Sequence, residues 1–344
     1  MSALTSFGKL ILLGEHAAVY GSPALALGIP SALRATALRP TSGGIRLRVP
    51  DWGLERDSEQ GHSGQFDSVV AAMRALLRRL PGRGGCELAA RARIPLGAGL
   101  GGSAALALLL VRALASTRGV ALTTEEARVV AHELEKVFHG IPSGLDDGLS
   151  AFGGLCLFRR GGFAGQTDLA AGGASSTKGG SSRVLLGRLR PIADDLLAFP
   201  VSPPRLVIGL TGVARQTSSL VAGVAARYAQ DGALIGEIFG GIEACVVRGA
   251  EALLKSDLPE LGRAMTRNQE LLRQLQVSSV EIDTLVESAL DNGALGAKLT
   301  GAGGGGAVVA LAPGREEVVL AAWAARGFAG LDLLLEPGET DSDE

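Results

Sequence analysis

The sequence predicts an α+β protein of two domains, and three observations carry that expectation. A chain of 344 residues, 47% of them hydrophobic, is longer than one hydrophobic core usually sustains. Apolar runs of strand length, such as 9–13 and 206–210, alternate with longer stretches of helical period, such as 66–80 and 316–326. Between the halves lies 161–182, rich in Gly, Ala, Ser and Thr and without apolar period, which reads as a mobile surface loop or lid. The expected domains are 1–188 and 189–338, with an acidic, disordered tail at 339–344.

In chain order, 9–13 (Lys-Leu-Ile-Leu-Leu) is expected as a buried strand, oddly bracketed by Lys9, Glu15 and His16. Further strands are expected at 25–29, 32–38 and 45–49, separated by Gly and Pro. Residues 51–64 are polar and read as a loop. The helix over 66–80 stops at Pro81-Gly82, and 86–94 alternates like a half-exposed strand. A helix is expected from Ser103 to about Thr117. Another starts after Thr123 or Thr124, with Glu125 and Glu126 behind it, and reaches about Phe138. A strand is expected at 153–158. The second half reads as a strand at 206–210, mostly helix from Thr217 to about Leu290, strands at 294–299 and 307–312, a helix at 316–326 and a strand at 331–335. No internal repeat is visible.

Composition excludes several function classes. The net charge of −2 supplies no basic field for nucleic acid or an anionic membrane, and 4% aromatics supply no base-stacking platform. Cys86, Cys156 and Cys245 are odd in number and in no metal or redox spacing, so they read as core residues in a reducing compartment. The longest apolar run, 104–111, ends at Arg112, far short of a membrane span. A soluble, cytoplasmic protein is expected.

Chemistry concentrates in three segments. The first is Pro95-Leu-Gly97-Ala98-Gly99-Leu100-Gly101-Gly102-Ser103, which runs straight into an apolar helix. Its glycines free backbone N–H groups to face a ligand, and the helix N-terminus adds unpaired donors and the positive end of its dipole. The product is an anion cradle of nucleotide-phosphate size, with Ser103 at the place of an N-cap. The plain alternative is a glycine turn that merely caps a buried helix. Gly97-x-Gly99-x-x-Gly102 matches the dinucleotide fingerprint formally, but a second helix follows instead of a strand ending in an acidic residue; the Walker lysine is absent too.

The second segment runs from Glu135 through His139 and Pro142-Ser-Gly-Leu to Asp146 and Asp147. His132, Glu135 and His139 can share a helical face, yet they lack the His-Glu-x-x-His spacing, and Gly140 and Pro142 end the helix. Magnesium needs less: one carboxylate and one hydroxyl beside phosphates suffice, and Glu135 and Ser103 supply them. A solvated helix carboxylate is the alternative for Glu135. Asp146 fits either a capping box opened by Ser143 or a general base for a substrate hydroxyl. The third segment, Lys298-Leu-Thr-Gly-Ala-Gly-Gly-Gly-Gly306, reads as a glycine wall for close backbone approach over the phosphate loop, against the alternative of a flexible hairpin.

Together with Gly8-Lys9 to Gly14-Glu15-His16, these segments resemble the galactokinase, homoserine kinase, mevalonate kinase and phosphomevalonate kinase (GHMP) superfamily over almost the whole chain. His139 to Asp146 and Thr211-Gly-Val-Ala-Arg215-Gln-Thr217 look specifically like the mevalonate kinases. The resemblance implies an N-terminal domain like part of ribosomal protein S5 and a ferredoxin-like C-terminal domain, with ATP and substrate in the cleft. It implies ATP-dependent phosphorylation of the 5-hydroxyl of mevalonate, Mg2+ as cofactor and a possible homodimer. On that reading Gly97, Ala98, Gly99, Leu100, Gly101, Gly102 and Ser103 hold the triphosphate, while Ser103 and Glu135 bind the metal. Asp146 takes the proton beside Lys9, and Glu15, His16 and Thr217 line the substrate pocket. Three positions depart from the family pattern: Ser6-Phe7 for Ala-Pro, Gly102 for Ser, and Asp147 for Asn, the last adding negative charge near the base. Competing readings are another kinase of the superfamily acting on phosphomevalonate, homoserine or a sugar, a related decarboxylase, and a non-catalytic nucleotide-binding relative. The presence of Lys9, Glu135 and Asp146 weighs against the last two.

Overall fold

The computed structural model describes residues 4–60, 66–140, 142–163, 185, 187–213 and 217–333. The expected mobile loop falls almost wholly, and the acidic tail wholly, outside these residues. The chain divides into two compact units. The first holds the residues up to Lys9, Gly28–Leu96 and Leu100–Gly153; the second holds Leu10–Leu27, Gly97–Gly99 and the chain from Gly154 onward.

In the first unit, strands β3 (Ile45–Val49), β4 (Leu54–Asp57) and β5 (Gly85–Ala92) join the later part of β2 (Ala24–Thr41) in the order β4-β3-β5-β2. The β3–β5 pair is parallel and the β3–β4 pair antiparallel; β2 runs antiparallel to β5 from Leu33 opposite Ala92 to Thr41 opposite Gly85. The start of β1 (Thr5–Leu13) lies beside this sheet, where Ala35 N donates to Leu4 O at 2.8 Å. Four helices follow: α1 (Asp67–Arg79), α2 (Gly102–Arg118), α3 (Thr124–His139) and α4 (Leu145–Phe152). From Ala104 to Val111 helix α2 is apolar on every side and wholly buried, as befits a segment enclosed by neighbours. It packs on α3, α4 and β5. Helix α3 opens with the expected capping box: Glu126 N donates to Thr123 Oγ1 at 3.2 Å, and Thr123 N to Glu126 Oε2 at 2.7 Å.

In the second unit, residues 24–27 of β2 pair with β6 (Leu155–Phe158), which pairs with β8 (Leu196–Ala198) and that with β7 (Arg190–Ala193), all antiparallel. A separate antiparallel sheet has the order β10 (Gly296–Thr300), β11 (Ala307–Leu311), β9 (Leu206–Leu210), β12 (Ala329–Asp332). Its strand order, with helix α9 (Glu316–Ala324) between β11 and β12, is the ferredoxin-like arrangement expected from the resemblance. Four helices fill the first crossover: α5 (Thr217–Gln230), α6 (Gly232–Lys255), α7 (Leu258–Gln274) and α8 (Val280–Asp291). Trp323 on α9 is fully buried, and its indole N–H donates to Leu285 O at 2.9 Å. The three cysteines are free and buried, as expected. No described helix is long and apolar enough to cross a membrane.

Three expectations need correction. The strands read at 25–29 and 32–38 are one strand. The chain kinks at Ser31, where φ is 48°, but pairing survives because β2 changes partner across Pro30, which lacks a donor. The loop read over 51–64 contains a 3-10 turn at Pro50–Trp52 and strand β4, whose four residues are too short to show alternation. The last strand starts at 329 rather than 331, because Ala329 already pairs with Leu210 at the end of β9; residues 334 and 335 of the expected 331–335 lie outside the described residues.

Candidate active site

In the first unit the glycine loop meets β1 at Lys9. Lys9 N donates to Leu100 O at 2.7 Å, and Gly101 caps α2 with φ 77°. A Cβ on Gly101 would stand 2.8 Å from Lys9 N, so the close approach requires glycine. The N-cap is therefore Gly101 and not Ser103, which corrects the sequence reading. Ser103 lies inside the first turn, and its hydroxyl turns to α3. It donates to Glu135 Oε2 at 3.3 Å and lies 3.0 Å from His139 Nε2.

Glu135 is not a solvated helix carboxylate. It is 1% exposed, its Oε1 has no hydrogen-bond partner among the described residues, and its carboxyl is pushed up to about 8. Burial is the main cause and the charge of Asp146 adds to it, while the Ser103 hydroxyl pulls the other way. An orphaned, buried oxygen beside a serine hydroxyl suits an oxygen-preferring divalent cation such as Mg2+.

Asp146 occupies the first turn of α4. Gly144 is the N-cap and no side chain caps the helix; Ser143 Oγ accepts from Leu145 N, at 3.3 Å, and not from the N–H of Asp146. The capping-box alternative is thereby overturned. Asp146 Oδ1 instead lies 3.0 Å from Lys9 Nζ, with side-chain exposures of 28% and 10%. The ammonium is held on a rigid strand, while the carboxylate keeps a path to solvent. Asp147 faces away from Lys9 and is 1% exposed. Arg128 Nε donates to its Oδ2 at 3.1 Å, and His132 Nδ1 lies 3.1 Å from its Oδ1. The expected extra negative charge near the base is therefore compensated. Of the three residues of the shared helical face, His132 is committed to Asp147, while His139 Nε2 lies 3.9 Å from Glu135 Oε2. Among the described residues, no three His, Cys, Asp or Glu groups form a metal cluster.

In the second unit, Glu15 and His16 follow the end of β1. Lys298 is fully buried and donates to Glu15 Oε1 and to Leu299 O; Glu15 is 1% exposed. Burial pulls the Lys298 ammonium down, and the charge of Glu15 opposes this. His16 adopts φ 61°, and its Nε2 lies 3.0 Å from Ala302 O. Burial lowers its pKa, and the charges of Arg227 and Lys298 add to that, so the ring is neutral near pH 7. Gly14 N donates to Asn268 Oδ1 at 3.1 Å, while Thr300 Oγ1 accepts from Ile11 N and donates to Ile11 O, both at 3.1 Å. The turn that carries Glu15 and His16 is thus tied to β10 and α7. The segment after Lys298 is no flexible hairpin: Gly304 N donates to Val277 O at 2.8 Å, and a Cβ on Gly303 would lie 2.0 Å from that oxygen. Thr217 begins α5; Arg215 lies outside the described residues.

Sequence reasoning missed Lys298 as the partner of Glu15, and Arg128, His132 and Asn268 as supports. The available signal was polar residues in otherwise apolar surroundings: on helix faces for Arg128, His132 and Asn268, and within strand β10 for Lys298.

A glycine-lined helix start, a hydroxyl–carboxylate pair beside it and an ammonium-paired aspartate are an arrangement suited to phosphoryl transfer to a hydroxyl, the chemistry of a small-molecule kinase. The model for the GHMP kinases N terminal domain matches residues 67–154, and that for GHMP kinases C terminal matches 250–329. A mevalonate kinase of Pyrococcus horikoshii is 32% identical over 91% of this chain and 89% of its own. One of Aeropyrum pernix is 33% identical over 88% and 86%. Among solved structures, the L. major mevalonate kinase in complex with R-mevalonate superposes with a TM-score of 0.74 at 27% identity, covering 95% of this chain and 92% of that one. The chain belongs to the GHMP kinase family, and as an enzyme it is an ATP-dependent kinase that phosphorylates an alcohol.

Proposed function

We propose that the alcohol is mevalonate and that the product is 5-phosphomevalonate. The identity to mevalonate kinases over nine-tenths of the chain supports the substrate, and the 3.0 Å pair of Lys9 with Asp146 carries the mechanism. In this reading the 5-hydroxyl oxygen attacks the γ-phosphorus of ATP. An oxygen–phosphorus bond forms, the bond to the β-phosphate oxygen breaks, and ADP leaves. Asp146 accepts the hydroxyl proton, and Lys9 stabilises negative charge on the attacking oxygen. A primary alcohol is a poor acid, so the proton moves late, as the phosphoryl group arrives.

Gly97 to Ser103 bind the triphosphate through backbone N–H groups. Ser103 and Glu135 are the residues that would hold Mg2+, which neutralises phosphate charge when bound. His16 offers a neutral ring to the substrate, and Glu15 serves the same pocket through its pair with Lys298. Thr217 completes the substrate set. The resemblance also supports a homodimer, and the three cysteines, free and buried, fit a reducing compartment such as the cytoplasm.

The test is mevalonate-dependent ADP release by Asp146→Asn and Asp146→Ala, measured beside thermal stability. The reading expects kcat to fall by about 10²- to 10⁴-fold in both, with unchanged melting and little change in KM. Near-normal turnover in both variants would sink it.

A further inference from the structure

We propose that Asp147 is a positioning residue: its buried carboxylate, gripped by Arg128 and His132, locks α4 onto α3 and fixes where Asp146 stands relative to Lys9 and Glu135. The inference rests on the reading of Asp146 as the base and deepens it.

Helix α3 presents Arg128, His132 and Glu135 at intervals of four and three residues, one face of a helix. The first two hold Asp147 through its two oxygens at 3.1 Å each, and the third reaches the Ser103 hydroxyl. Adjacent residues of a helix point about 100° apart. Asp146 and Asp147 therefore meet different partners, the first facing Lys9 and the second facing α3. A carboxylate that is 1% exposed is costly to bury, and such a pair seldom adds stability over a well-packed apolar contact. What it adds is direction. Two bonds from two side chains on one helix fix both the rotation and the height of α4 at its first turn, where Asp146 sits. Displacement of a reacting group by ~1 Å can cost ~10²-fold in rate.

The test uses the full-length enzyme with four variants: Asp147→Ala, Asp147→Asn, Arg128→Met and Arg128→Met/Asp147→Asn. Asp147→Ala is expected to lose about 10- to 100-fold in kcat with KM values little changed. Asp147→Asn keeps an acceptor and a donor for the same two partners and should restore most of that loss. Arg128→Met leaves a buried charge without its guanidinium, so it should be severe alone and mild when combined with Asp147→Asn. A purely structural role predicts lower melting temperatures with wild-type kcat in the folded fraction, and that result overturns the proposal. So does an Arg128→Met defect of equal size in both backgrounds, which remains informative if Asp147→Ala does not fold. A crystal structure of Asp147→Ala, or of Arg128→Met in its place, gives a substrate-independent reading. Loss of the Lys9–Asp146 contact supports the proposal and its retention overturns it. If the wild type phosphorylates no alcohol, the functional reading fails while that structure still decides the positioning claim.

Discussion

Glu135 holds a proton that the unfolded chain would release. Its carboxyl titrates near 8 in the folded protein, against an ordinary value of 4.5, chiefly because it is buried. Between those values the folded state binds more protons than the unfolded one, so stability falls as pH rises through this window. The cost above pH 8 is on the order of a few kcal/mol. Melting temperature followed from about pH 5 to about pH 8.5 should decline in the wild type. Glu135→Gln, always neutral, should flatten that decline; equal slopes would contradict the assignment. The residue types at this site were legible from the sequence, because Lys9, Ser103, Glu135 and Asp146 sit in or beside glycine-marked segments. Their surroundings were not. Nothing local distinguishes a solvated Glu135 from a buried one, and the partner of Glu15 lies 283 positions away in sequence.

The helices make two contrasting predictions. The capping box at Thr123 stabilises the N-terminus of α3, far along the helix from Glu135. Thr123→Ala should cost about 0.5–2 kcal/mol of unfolding free energy and leave kcat alone. Gly101 differs, because its cap geometry sets the contact with Lys9. Gly101→Ala faces both a left-handed φ and a 2.8 Å clash with Lys9 N. It should cost about 1–3 kcal/mol and also lower turnover, as the ammonium and the phosphate loop shift together. Denaturant melts and initial rates on both variants check the pair, and a kcat effect from Thr123→Ala would tell against this division. Long periodic helices and glycine stops were readable, as in α1 and α3. Among the four-residue strands, apolar β6 was readable, whereas β4 and β7, with charged residues and Pro191, were not, nor was three-residue β8. Strand β2 was misread because Pro30 looks like a break until two different partner strands are known.

At the scale of the whole chain, the order of the β9–β12 sheet and the matches to the N- and C-terminal GHMP models agree with the fold expected from three glycine-rich segments. That much was legible because backbone geometry around phosphate and close-packed loops leaves few alternatives to glycine. Substrate choice was less so, since it depends on side chains brought together from distant positions. The most direct measurement is ATP-dependent ADP release by the purified wild-type protein, compared across mevalonate, phosphomevalonate, homoserine and galactose. The account predicts the highest kcat/KM with mevalonate and dependence on a divalent cation. A higher value with any of the other three, or no mevalonate-dependent release, would contradict it.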